Sequence, residues 1–98
     1  MSWATHAIVR LAQGETVPLR PRGRSMVPVI AAGSHVRVAP LDSAAIVPGD
    51  IVLCHLPGRD ALHLVLDVGP QGYLVGNAQQ DPHGWVARPA IFGKVVGS

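Results

Sequence analysis

From Thr16 to the end of the chain, every short apolar run is broken by a glycine or a proline within a few residues. No long helix survives that pattern, because proline removes a backbone donor and clashes with the preceding turn, and glycine weakens a helix interior. Short strands joined by turns tolerate it, and a spacing of roughly 8 to 12 residues between breaks is the rhythm of an all-β domain. Strands are expected near 16–21, 35–39, 50–56, 61–68, 72–76 and 91–96, with Pro57, Gly58, Arg59 and Asp60 closing a hairpin between the third and fourth. Ahead of them, Trp3, Ala7, Ile8 and Leu11 recur at helical spacing before Gly14, which predicts a short amphipathic helix ending at that glycine. The expected fold is mainly β: short antiparallel strands and hairpins preceded by a short N-terminal helix. One domain spans 1–98, with the helix in 1–14 and the β-rich core in 16–96.

The hairpin carries a register argument. A symmetric closure across Pro57 to Asp60 pairs Leu56 with Ala61 and Cys54 with His63, and directly paired residues share a face. His63 then sits on the side of Cys54, while Leu62, Leu64, Leu66 and Val68 face the expected core. The imidazole is thereby placed off the main core.

Composition narrows the class. With 48% apolar and 14% charged residues the chain is too hydrophobic for disorder, and 98 residues allow a single core. No apolar run approaches the roughly 18 residues of a membrane span, and the opening MSWATHAIVR lacks the basic start and apolar centre of a secretory signal. A cytoplasmic location without membrane insertion is the expectation. The net charge of +2 gives little support to nucleic-acid binding. Cys54 is a single cysteine, so no internal disulfide and no CxxC pair exist. Its neighbourhood to His63 raises a reactive-thiol reading, against which a lone strand cysteine ordinarily serves as a small hydrophobe. His6, His35, His55, His63 and His83 show no metal-ligand spacing, and no metal or cofactor is expected.

The chemistry-bearing segment is GRSMVPVIAAG, residues 23–33. Gly23 permits a tight turn and Pro28 fixes its exit, so Ser25 is presented on a bend rather than within a ladder. In chain order GRSMVP is followed by AAGSHVRVAP, VPGDIVLC, ALHLV, GNAQQD and AIFGKVV. That ordered set, over about residues 17–96, resembles the type I signal peptidase and LexA-type repressor peptidase superfamily. The resemblance implies a serine peptidase with Ser25 as nucleophile. In the bacterial signal peptidases and LexA-type repressors a lysine base follows the GDIV strand, whereas the endoplasmic reticulum type has histidine there, and this chain has His63. Lys94, the single lysine, stands in the closing strand where the superfamily carries a lysine without catalytic duty. Asp81 matches the acid that orients the histidine, completing a Ser25, His63 and Asp81 triad, and Asn77 is the alternative orienting group. Met26 and Arg24 flank the nucleophile and, with Asn77, are candidates for substrate contact. A histidine base of ordinary pKa, about 6.5, implies activity rising through pH 6 to 7.

Four positions depart from the superfamily pattern. Ser34 replaces an acid, Leu64 an arginine and Asn77 an aspartate, while Gly23 stands where many signal peptidases place a hydroxyl that donates to the oxyanion. Backbone N–H groups would then have to serve, and loss of one such donor costs roughly 10² to 10³ in rate. Two functional readings follow. One is a small endopeptidase that cleaves a peptide or a dedicated propeptide, since no membrane anchor is apparent and 24 residues ahead of Ser25 leave no room for a DNA-binding domain. The other is a catalytically inactive peptide- or protein-binding module of the same fold. A third, weaker reading uses Arg20, Arg22 and Arg24 for an acidic partner or nucleic acid; a solvated charged face is the favoured account of them.

Overall fold

The glycine and proline breaks partition the chain much as their rhythm predicts. A computed structural model describes residues 5–20, 35–41 and 46–97. Its elements are α1 (Thr5–Ala12), β1 (Val17–Leu19), β2 (Val36–Pro40), β3 (Ile51–Leu56), β4 (Arg59–Gly69), β5 (Gly72–Gly76), β6 (Pro82–Val86) and β7 (Ile91–Gly97), with a 3-10 turn at Arg88–Ala90. The fold is mainly β, as expected. The strands form one antiparallel sheet in the order β1-β2-β7-β3-β4-β5-β6, so the last strand inserts between the second and third. Helix α1 stops where the sequence places its end. The N–H of Gly14 donates to the carbonyl of Leu11 and that of Glu15 to the carbonyl of Arg10, the bond pair of a Schellman motif.

Both faces of the sheet are buried at its centre. On the first, Val17, Leu19, Val36, Val38, Leu53 and Leu62 pack under Ala7 and Leu11 of α1. On the second, Val52, Cys54, Leu56, Val65, Val75, Val86 and Ile91 gather with Ile46. Strand β6 lies three strands from β3, about 14 Å in a flat sheet, yet the two are in contact. The sheet therefore curls over its second face and encloses that cluster largely by itself. Strands with two covered faces read as continuous apolar runs, which is why IVLC in β3 shows no alternation.

Three expectations are corrected. The hairpin loop is Pro57 and Gly58 alone, with Gly58 at φ 88, a conformation glycine reaches without steric cost. Leu56 consequently pairs with Arg59, Cys54 with Ala61 and Val52 with His63. The register differs by two from the four-residue closure, and because side chains alternate with period two, His63 keeps the face assigned to it. That face, however, is not off the core: His63 is fully buried, while Val68, expected inside, is 43% exposed. The third correction is β6, a strand that PHGWV did not suggest, because its proline and glycine read as turn signals.

Candidate active site

The site is built around the middle of β4. His63 lies opposite Val52 on the second face and has no solvent exposure, and among the described residues it is the buried polar side chain. Burying an imidazole costs free energy that an apolar residue in the same strand would not. His83 of β6 packs against it, with ring centroids 5.0 Å apart and planes tilted by 44°.

On the other side of β4, Leu64 pairs with Gly76 at the end of β5, so the next residue along, Asn77, arrives at the level of His63. There the chain leaves the sheet in a tight loop that Asn77 organises. Its Oδ1 accepts from the N–H groups of Gln79 (3.1 Å) and Asp81 (2.9 Å), and its Nδ2 donates to Oδ2 of Asp81 (3.2 Å). The backbone adds bonds from Asn77 N–H to the Asp81 carbonyl and from Gln80 N–H to the Asn77 carbonyl. Gln80 adopts φ 68, a left-handed conformation uncommon for a residue other than glycine. The return crosses Gly76 so closely that a Cβ there would lie 2.2 Å from the Asp81 carbonyl oxygen. The structure thus brings His63, Asn77 and Asp81 into one neighbourhood, and it gives the Asp81 carboxylate to the Asn77 amide. Ser25, Met26 and Arg24, together with Gly23, Arg22 and Ser34, lie outside the described residues.

Lys94 shares the second face with His63 but stands one strand beyond Val52, which separates the two residues by about 10 Å at ordinary strand spacing. Its Nζ is 3.5 Å from Oδ2 of Asp50, the same oxygen that accepts the N–H of Val47 at the turn into β3. The lysine is engaged as a structural cation. Cys54, next but one to Val52 on this face, has no exposure, and burial, with a smaller contribution from the charge of Asp60, pushes its thiol from 9.0 up to about 12. A thiol so protected from ionisation is a small hydrophobe, not a nucleophile. Leu64 is half-buried against the cluster under α1. Arg20 is exposed just past the end of β1.

A cavity of about 320 Å³ opens beside the site, lined by Pro48, Gly49, Leu64, Val65, Leu66 and Gln80. It runs from the turn before β3 to the Asn77–Asp81 loop. Among the described residues, no three histidine, cysteine, aspartate or glutamate side chains gather as metal ligands, and no helix is long and apolar enough to cross a membrane.

Sequence reasoning missed His83, which lies in a segment read as a loop; only the aromatic contact across two strands reveals it. No family model matches the chain, and no curated protein matches it either.

Proposed function

We propose that the protein is a serine endopeptidase of the signal-peptidase and LexA type, acting on an extended peptide such as a dedicated propeptide. Ser25 attacks the scissile carbonyl, His63 takes the hydroxyl proton and returns it to the leaving amine as the C–N bond breaks, and water then hydrolyses the acyl-enzyme by the same route. The observation that carries this reading is the complete burial of an imidazole in the middle of a strand at the level of the Asn77–Asp81 loop. An enclosed histidine beside a polar loop is suited to proton transfer once a substrate hydroxyl or water is within reach. The antiparallel β fold with its short N-terminal helix agrees with the same reading. The adjacent cavity supplies room for an apolar side chain of the peptide.

The test compares wild type with Ser25→Ala and His63→Ala on synthetic propeptides, with fragments read by mass spectrometry. Cleavage that falls by about 10³-fold or more in both variants supports the proposal. Equal fragments from all three discard it. A second reading, an inactive peptide-binding module, is favoured by one observation: the carboxylate that would orient the imidazole is held by Asn77. Capture of the peptides without fragments by wild type and Ser25→Ala alike would select it.

A further inference from the structure

We propose that His83 is a positioning residue for His63, and that a β-bulge built into β6 is the device that brings it there. Pairing between β5 and β6 runs Tyr73 with Val86, Leu74 with Trp85 and Val75 with Gly84, then moves to Gly76 with Pro82, which leaves His83 as an extra residue. In an unbroken ladder His83 would pair with Gly76 and fall on the outer face with Trp85, whose ring lies over Gly69 and is 43% exposed. The bulge reverses that direction locally. Gly84 follows at φ 152, a conformation that side chains rarely adopt, so the histidine and glycine together form the bulge. The imidazole of His83 then meets that of His63 at 5.0 Å and 44°, within the range of favourable aromatic pairs.

The inner ring is sealed and the outer ring is exposed. His83 therefore covers His63 on the β6 side, restrains its ring, and controls the approach of water and small electrophiles. Its catalytic consequence rests on the peptidase reading above, whereas the covering itself does not.

Diethyl pyrocarbonate labelling with peptide mass spectrometry reads the covering directly, with exposed His6, His35 and His55 as internal references. In wild type, His83 labels and His63 is protected. His83→Ala is expected to raise His63 labelling by about tenfold or more at unchanged reference rates, corresponding to loss of roughly 1.4 kcal/mol of local protection. His83→Phe, which keeps a ring without the imidazole, is expected to restore protection. Equal His63 labelling in wild type and His83→Ala, or labelling in His83→Phe as fast as in His83→Ala, overturns the proposal. In the cleavage assay His83→Ala is expected to lower kcat by about tenfold at unchanged KM, with recovery in His83→Phe. Cleavage that persists in His63→Ala removes the peptidase reading and leaves the labelling result to decide the inference on its own.

Discussion

The two faces of the sheet bury similar apolar sets but differ in what closes them and in what else they hold. Helix α1 closes the first, and among the described residues the side chains buried there are leucines, valines and alanine. The second is enclosed by the sheet's own curl, and it holds His63 at its centre and the Lys94–Asp50 pair beside Val52. A face covered by a separate element is free to be dry throughout. A face enclosed by β5, β6 and the Asn77–Asp81 loop places loop polar groups next to strand side chains. The first face supports stability and the second is where chemistry is possible.

The sharpest way to break this division is a pair of substitutions in adjacent strands. Leu53→Ala removes the centre of the first cluster, a fully buried side chain, and is expected to cost about 2 to 5 kcal/mol with little effect on the activity of the folded fraction. His63→Leu, of similar volume, is expected to change stability by less than about 1.5 kcal/mol while cleavage is lost. Urea denaturation and the peptide assay measure the two. A larger stability loss in His63→Leu than in Leu53→Ala would show that the second face is as structural as the first.

Cys54 tests how dry the second face is. In the folded chain its thiol ionises only near 12, against 9.0 for its ordinary value. Below pH 9 both folded and unfolded chains carry the neutral thiol, and it contributes no pH dependence. Between 9 and 12 the unfolded chain ionises and the folded one does not, so stability falls as pH rises, at up to about 1.4 kcal/mol per pH unit. The difference between the denaturation curves of wild type and Cys54→Ala isolates this slope. Native protein is also expected to resist iodoacetamide at pH 8 until urea is added; rapid alkylation without urea would mean that water reaches this face.

The same contrast explains what was legible in the sequence. Strand positions were visible because Gly and Pro mark the turns, and seven elements, α1 included, fall close to the expected ranges. β6 was hidden, because Pro82 and Gly84 are turn residues that an edge strand and a bulge tolerate. The face of His63 was legible from parity alone, and survived a register error of two. Its burial was not, since alternation tells which way a side chain points and not whether the sheet will curl over it. Asn77 and Asp81 were recognisable from the order of motifs around them; their bond to each other depends on a loop closure across Gly76 that spacing does not reveal.

Asn77→Asp sharpens the comparison at the border of the second face, because it turns the amide that holds Asp81 into a second carboxylate. The amide at 77 accepts two N–H groups with its oxygen and gives its nitrogen to Asp81, 3.2 Å away. A carboxylate keeps the acceptor and replaces the donor with a second negative charge facing Asp81. The pair then either shares a proton or separates, at a cost of about 1 to 3 kcal/mol. If the second face is the catalytic one, separation frees Asp81, and the pH profile of cleavage changes with it. An unchanged profile together with unchanged stability would mean that the loop has no hold on the site.

Lys94→Met is the mildest probe and separates a structural cation from a catalytic one. Its ammonium is 3.5 Å from Asp50 and about one third exposed, a setting in which solvent screens much of the attraction. Methionine keeps the length of the side chain and its packing against the sheet, and the Asp50 carboxylate retains the N–H of Val47 as a partner. Stability is therefore expected to fall by no more than about 1 kcal/mol. Cleavage is expected to be unchanged, because the lysine lies beyond Val52 from His63 and its ammonium is paired with Asp50. Loss of cleavage with stability intact would move the base from His63 to Lys94, and the two faces would keep their division while the chemistry on the second changed hands.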